Sequence, residues 1–402
     1  MAKPQYDVVI AGGSLAGLLT ARELASRSSV SVLVLEQDHE IGTPEHCGGL
    51  VSLSGLKKLG LVPSYRSYRN TIARAEIRSK SSFFEIDAHR QGVVAVDRRE
   101  LDKQIAFQAQ NLGVEIRTMC SMRSVSAAHT SDGRVKHDEN EGNRGHTFAV
   151  KTTEGSVYCK FFVDATGLSS LIRRQRNGIL PSGQYEVYAP WVESDTVELH
   201  FDSDRYPGFF AWIIPLGENK AKIGVAGSGI NVINTLNSFL ESKGASYSII
   251  RKVYAPIYIA GPIKHFIQGS KFLFVGDAAG QTKPTTAGGI LSSGMGGLLA
   301  GRAVSNAIET EDDSSLSQYH VEWLSLFGSE FRKLLLARRV FERLDNRALD
   351  EIFSTVSQTA LRRISQEGDF DFHSAPLSVI FDAKSAARML RTLLGSELRK
   401  AR

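Results

Sequence analysis

Cysteine is scarce in this chain, at three residues in 402, and the number is odd. Three thiols cannot form a disulfide framework, so the pattern predicts a protein of the reducing cytoplasm. The ten histidines show no metal-ligand spacing. His46 and Cys47 are merely adjacent, which is not how zinc ligands are spaced, and no metal is expected. No signal-peptide pattern is visible, because strand chemistry already begins at Tyr6. Long hydrophobic runs are missing too. One of the two longest uncharged runs, Pro284 to Gly301, holds Gly288, Gly289, Gly294, Gly296, Gly297 and Gly301 beside Thr285, Thr286, Ser292 and Ser293. That density of glycine argues against a membrane span and for a helix pressed on backbone or ligand. There is no internal repeat, no low-complexity segment, and no nucleic-acid motif or sustained basic–aromatic pattern.

What is present is a soluble globular composition, 42% hydrophobic and 23% charged, long enough for two or three domains. Charge is unevenly placed. Six basic residues between Lys384 and Arg402 stand against Glu397 alone, a net +5 that equals the whole-chain value. Ala383, Ala387, Leu390, Leu394 and Leu398 fall at helical spacing beside them. The pattern predicts a surface helix docked on the core. The alternative is a peripheral contact with an anionic membrane surface.

The most informative segment is Gly12-Gly13-Ser14-Leu15-Ala16-Gly17, directly after the apolar strand pattern Tyr6–Ile10. A helical pattern follows from Leu18, and Glu36 closes a second strand, Val30–Leu35. This is the layout of a dinucleotide-binding βαβ unit. Small residues let backbone approach a pyrophosphate, and a helix N-terminus offers free N–H groups and positive potential. Glu36 lies 24 residues past Gly12, near the spacing of a ribose-binding acid. Ser14 departs from the motif, standing where its middle glycine would be.

Further on, strands are expected within Thr71–Ile86, at Val93–Val96, from Val114, and at Tyr158–Ala165. An amphipathic helix is expected over Arg98–Leu112. His129–His146 is polar and reads as an exposed hairpin or excursion. Between Glu186 and Ala226 the apolar residues alternate, with Val197, Leu199 and Phe201 opposed to Glu198 and His200. Strands are also expected at Phe209–Pro215 and Ala221–Ala226, which suggests an antiparallel sheet. Lys271–Val275 is a buried-strand pattern ending at Gly276-Asp277. A glycine-rich join leads to a helix from Ile290, and helices fill the chain from about residue 315.

Four blocks carry a resemblance: the βαβ unit; Arg98-Arg99-Glu100-Leu101-Asp102; Phe272–Gly280 with Pro284–Ile290; and Pro207-Gly208-Phe209-Phe210-Ala211-Trp212-Ile213-Ile214-Pro215. Together they resemble the geranylgeranyl reductase family of FAD-dependent flavoproteins, within the wider group built like p-hydroxybenzoate hydroxylase. The likeness spans residues 1 to about 310. It implies an α/β fold: a Rossmann-like FAD-binding domain made of 1–70, 90–180 and 265–315, an antiparallel-sheet substrate domain made of 71–89 and 181–264, and a C-terminal helical region, 316–402.

The resemblance also implies site residues. Gly12, Ser14, Ala16, Gly17, Glu36, Gln37, Arg98, Met122 and Asp277 would hold FAD, with Gly288, Gly289 and Ile290 at the flavin's pyrimidine edge. Cys47, Gly48 and Gly49 would lie at its reactive face. Phe209, Phe210, Trp212, Ile214 and Pro215 would wall the substrate cavity, and Cys47, Trp212 and Phe210 would take part in catalysis. The family motif has Tyr where this chain has Phe210 and Phe where it has Ile214. Both changes keep an apolar wall, which suits a hydrocarbon chain. Ala165-Thr166-Gly167 resembles the A-D-G segment of flavin hydroxylases, but Thr166 replaces the aspartate, which weakens that rival.

The function so implied is saturation of C=C bonds in a geranylgeranyl chain, as a prenyl diphosphate or an ether lipid. The electron donor, NADPH or ferredoxin, is left open, since no second nucleotide motif is present. The rival readings are a flavin monooxygenase, an electron-transfer flavoprotein reducing a membrane quinone, and a non-catalytic prenyl-lipid carrier. Cys120 and Cys159 sit in strand-like contexts and are assigned no chemistry.

Overall fold

The computed structural model describes residues 5–127, 148–174 and 177–374. The excursion His129–His146 and the basic stretch from Lys384 to Arg402 lie outside these residues. The first strand, Tyr6–Ala11, pairs in parallel with Val32–Leu35 on one side and Gly155–Asp164 on the other. Runs as apolar as Val8–Ala11 need cover on both faces, and helices on a parallel sheet supply it. The path of this eight-stranded sheet is Ile267–Gln268, Phe272–Phe274, Gly155–Asp164, Tyr6–Ala11, Val32–Leu35, Glu115–Arg117. Phe148–Thr152 and Met122–Ala127 join it antiparallel. Helix α1 (Leu15–Arg27) starts three residues before the predicted Leu18, directly after Ser14. Helices α2 (Leu53–Lys58), α3 (Arg98–Asn111) and α4 (Leu168–Arg174) follow. α3 buries the expected stripe of Leu101, Ile105 and Ala109.

Three further sheets complete the sheet structure of the described residues, one of them only the two-stranded pair Ile179–Leu180 with Ile257–Tyr258. The stretch read as two strands within Thr71–Ile86 contributes three. Tyr68–Ile72 joins a small sheet with Leu50–Ser52 and Val93–Val96, while Arg74–Arg78 and Phe83–Asp87 form a hairpin at the edge of a seven-stranded sheet. That sheet runs Ser248–Tyr254, Ser182–Tyr188, Lys220–Ala226, Ala211–Gly217, Thr196–His200, Arg74–Arg78, Phe83–Asp87. It is not purely antiparallel as expected, because Thr196–His200 pairs with Arg74–Arg78 in parallel. The hairpin comes from over a hundred positions upstream, so no tight turn dictates its direction. One face of the sheet, with Tyr185, Ala211, Ile213 and Ile223, packs on Leu236, Phe239 and Leu240 of α5 (Val232–Glu241).

The long helix α6 (Ile290–Thr310) packs along α1, and its glycines explain how. A Cβ on Gly297 would stand 2.3 Å from the Ala16 carbonyl oxygen, and one on Gly301 would stand 2.8 Å from that of Thr20. The predicted glycine-dense helix is therefore pressed on backbone. Among the described residues no helix is long and apolar enough to cross a membrane. Helices α7 (Ser317–Phe341), α8 (Asn346–Ser354) and α9 (Gln358–Glu367) follow. The Trp323 indole is fully buried and donates to Ser292 O at 2.9 Å, which ties α7 to α6.

Candidate functional site

The loop after the first strand is shaped by close backbone approach. Gly12 has φ +114°, and a Cβ there would stand 2.2 Å from Ala165 O. A Cβ on Gly17 would be 2.1 Å from Gly12 O. Ser14 precedes α1 without a side-chain cap; its hydroxyl instead donates to Asp102 Oδ2 at 3.1 Å. The first-turn N–H groups of α1, including that of Ala16, are left for an anionic ligand. Glu36 accepts from the Gly13 N–H at 2.8 Å and the Asp38 N–H at 2.9 Å, and burial raises its pKa. Gln37 beside it is exposed. Met122 begins its strand and packs at the edge of the cluster formed by Ala11, Leu35 and Cys120. The Cys159 thiol is pushed up to about 12 by burial, as befits an inert core thiol.

Arg98, at the start of α3, binds Asp102 through Nη2 at 2.9 and 3.0 Å and reaches Ser14 Oγ at 3.4 Å. Burial works against its charge, but Asp102 and the Cys47 side chain outweigh it and raise its pKa. The expected cysteine–glycine loop thus lies beside the expected arginine. Gly49 N–H donates to Cys47 Sγ at 3.3 Å. Gly48 has no side chain where Ile214 Cδ1 would lie 2.7 Å from its Cβ.

A buried polar network that sequence reasoning missed holds this loop. Lys222 Nζ donates to Glu45 Oε1 at 2.7 Å and to Cys47 O at 3.0 Å. Gln184 Nε2 reaches Cys47 O at 3.2 Å, and Arg251 Nη2 reaches Glu45 Oε2 at 3.3 Å. Glu45 also accepts from the Arg98 N–H at 2.8 Å. The Glu45 and Lys222 side chains are 1% and 2% exposed, so the pair is fully desolvated. The one available signal was a lysine at an inward position of the apolar strand Lys220–Ala226.

Asp277 sits in a 3-10 turn, Gly276–Ala279, whose Gly276 has φ +64°. A Cβ on Gly276 would stand 2.8 Å from Ala16 Cβ, so the turn lies against the start of α1. Asp277 is exposed, yet crowding by protein raises its pKa, as at the floor of a cleft that opens one way only. Ser293 Oγ of α6 donates to it at 3.5 Å. The start of α6, after Gly289, also lacks a side-chain cap, and Ile290 is buried there. Before it, Lys283 N–H donates to Gly288 O at 2.9 Å, and Ala287 sits at φ +53°.

The wall residues are divided by strand alternation. The strand begins at Ala211 instead of Phe209, because Gly208 (φ +71°) turns the chain ahead of it. Trp212 and Ile214 share one face; Ala211 and Ile213 share the other, toward α5, and the period of two places Pro215 with them. Pro215 is therefore on the wrong side for the wall predicted. Phe209 and Phe210 stack at 4.2 Å, and the Phe210 ring meets Trp212 edge-on at 6.2 Å. This aromatic group packs on Ala287 of the loop before α6. Trp212 lies across Gly224, where a Cβ would be 2.2 Å from its ring.

These residues fit a flavin dinucleotide. Two helix starts without side-chain caps flank an exposed acid. Glycines stand where a Cβ would collide, and Gln184 Oε1, Trp212 Nε1 and Thr285 Oγ1 are buried without a protein partner. Comparison with known proteins agrees. A family profile described as FAD dependent oxidoreductase matches residues 7–127. The chain is 30% identical, over 97% of its length and 100% of the relative's, to digeranylgeranylglycerophospholipid reductase 2 of Methanothermobacter thermautotrophicus. It is 29% identical to the protein of the same name from Methanopyrus kandleri, covering 90% and 92% of the two chains. Among solved structures it superposes on a geranylgeranyl bacteriochlorophyll reductase-like protein of Thermoplasma acidophilum with a TM-score of 0.82. That match has 22% identity and covers 96% of this chain and 99% of the other.

Proposed function

The chain belongs to the digeranylgeranylglycerophospholipid reductase family and is an FAD-dependent oxidoreductase, and from that premise we propose that it saturates C=C bonds in the geranylgeranyl chains of an ether lipid. One observation carries the reading. The apolar face of Phe210, Trp212 and Ile214 is brought against Ala287 on one side and Gly48 on the other, the two loops that flank the flavin site. A prenyl chain offers only hydrocarbon, and such a face is the surface it needs.

Reduced FAD, when bound, supplies a hydride equivalent to one alkene carbon. The chain's residues do the rest. Asp277 and Arg98 hold the polar part of the cofactor. The start of α6 puts positive potential beside Gly288 and Gly289, where it stabilises negative charge. Phe209, Phe210, Trp212 and Ile214 exclude water and align the alkene, which suits a reaction whose acceptor is poor. The Glu45–Lys222 network fixes the Cys47–Gly48 loop without exposing either charge. The proton for the second carbon comes from the Cys47 thiol or from a single water beside it rather than from bulk solvent, so two C–H bonds replace one π bond. NADPH or a reduced ferredoxin recharges the protein. The basic residues between Lys384 and Arg402 suit contact with the anionic surface where such lipids reside.

The test is anaerobic incubation of dithionite-reduced protein with digeranylgeranyl ether lipid, followed by mass spectrometry. Each saturated bond adds about two mass units, one hydride and one proton. A lipid recovered unchanged from FAD-loaded, reduced protein refutes the reading.

A further inference from the structure

After α9 the chain makes a tight turn, from Gly368 to Ser374, which lies beyond the sequence blocks that carry the family resemblance. Gly368 N–H closes α9 on Ile364 O at 2.8 Å, and Phe372 N–H bonds Asp369 O at 3.1 Å. The turn is fastened on its outer side by buried contacts. Ser52, which caps α2, donates to Asp371 Oδ2, and a Cβ on Gly55 would stand only 2.5 Å from that oxygen. Ser374 N–H donates to Glu330 Oε1 at 2.8 Å. The Phe372 ring stacks on Phe327 of α7, with centroids 5.7 Å apart.

On its inner side the turn meets the site. Lys283 opens the loop that ends at Gly288 and Gly289, and it is 6% exposed. Its ammonium donates to Phe370 O and to His373 Nε2, both at 3.2 Å, and lies 5.4 Å from the Phe370 ring centroid. To accept from an ammonium, His373 must be neutral at that nitrogen. Burial first, and Lys283 second, push its pKa well below the ordinary histidine value, in keeping with that role. The Phe370 ring then leans on the apolar cluster of Ile72, Val93, Ala95, Val197 and Ile214, against which Trp212 also packs. So one half-buried ring joins the cofactor loop to the face assigned to the substrate. Polar anchors on both sides of the turn hold an apolar group at a fixed place against that apolar cluster.

We propose that the Gly368–Ser374 turn is an end wall of the prenyl chamber, with Phe370 the specificity-determining residue and Lys283 the positioning residue that seats it. The proposal rests on the prenyl-reductase reading above. A ring at the end of a hydrocarbon channel limits how far the chain slides, and therefore which double bond comes to rest at the reacting position. Removing the ring lengthens the channel, and enlarging it shortens the channel.

The experiment uses the full-length, FAD-loaded protein and three prenyl ethers, with chains of about 10, 15 and 20 carbons, lengths chosen to bracket a chamber of this class. Wild type, Phe370→Ala, Phe370→Leu and Phe370→Trp are compared by anaerobic turnover, by mass spectra of partly reduced products, and by the change in oxidised flavin absorbance on lipid binding. Phe370→Trp is expected to shift the binding preference and KM toward the shorter chains by about tenfold, the scale of one well-placed apolar group. Phe370→Ala is expected to change which bonds of the longest chain are saturated. Should Phe370→Ala lose FAD, Phe370→Leu and Phe370→Trp carry the test. Lys283→Met is expected to reproduce the product change of Phe370→Ala with Phe370 intact. Chain-length ratios and product patterns like wild type in FAD-loaded variants overturn the proposal while leaving the reductase reading intact. A wild type that neither binds nor reduces any of the three ethers overturns both.

Discussion

The cofactor loops and the substrate wall of this protein are built in opposite ways. Around Gly12, Gly17 and Gly276 the structure depends on atoms that are missing, since a single Cβ would fall within 3 Å of a neighbouring atom at each position. The wall depends on side chains that are present and come from far apart. Phe210 and Trp212 lie in mid-chain, Ile72 early, and Phe370 late. A site made of backbone must be written locally, as a run of small residues in one turn. A site made of side chains can be gathered from anywhere the topology reaches. The first kind suits a constant ligand such as a dinucleotide; the second leaves room to adjust a chamber without disturbing the cofactor.

The largest expected effect joins the two regions. Lys222→Met leaves the Glu45 carboxylate buried without its nearest cation. Breaking a desolvated pair typically costs about 3–5 kcal/mol, although Arg251 keeps part of the contact. A fall in the thermal midpoint together with loss of FAD would show that the network serves both regions. A stable, yellow variant would mean that the loop holds itself. Next comes Asp277→Ala, which removes a charged acceptor from the cofactor side alone. It should weaken FAD binding about ten- to a hundredfold, equivalent to roughly 1.5–3 kcal/mol, with little change in folding. A flavin titration of apoprotein measures this, and unchanged affinity removes Asp277 from the site.

The smallest effect belongs to the substrate sheet alone. Burial opposes charge on Glu198, but His200 and Lys243 more than offset it and bring its pKa from 4.5 down to about 2. A depressed carboxyl stabilises the fold above its unfolded pKa and loses that contribution as the pH drops through its folded value. The contribution is therefore complete above about pH 5.5 and fades between 4.5 and 2. Thermal midpoints of Glu198→Gln measured from pH 6 down to about 3 should lack that part of the acid slope. Parallel curves for variant and wild type would contradict the assignment.

The same contrast explains what could be read from the sequence. The strand, glycine turn, helix and acid of the first unit lie within 36 residues, and each is a local consequence of backbone chemistry. Gly276-Asp277 and the glycine-rich start of α6 were legible for the same reason. The alternation at Val197–Phe201 placed Glu198 and His200 on one face, where the two bond at 2.8 Å. Illegible were the contacts that depend on long loops. Lys222 meets Glu45 across 177 positions, and Ser52 meets Asp371 across 319. The hairpin Arg74–Asp87 gave no sign that it would pair in parallel with Thr196–His200. Pro215 was placed in the wall by motif, but strand alternation turns it toward α5. The stretch from Lys384, with its helical stripe and basic residues, lies outside the described residues, so its docking on core or membrane is a separate matter.

The central claim is that the Trp212 face presents a prenyl chain to the flavin. The most direct measurement is anaerobic reoxidation of the reduced flavoprotein by digeranylgeranyl ether lipid, for wild type and Trp212→Ala, with the thermal midpoint of each. The account predicts reoxidation by lipid in wild type and a rate on the order of a hundredfold lower in the variant, the scale of a misplacement of about 1 Å. It also predicts retained FAD and a midpoint close to wild type. Normal reoxidation in a variant whose midpoint has collapsed would contradict it and leave Trp212 a packing residue only.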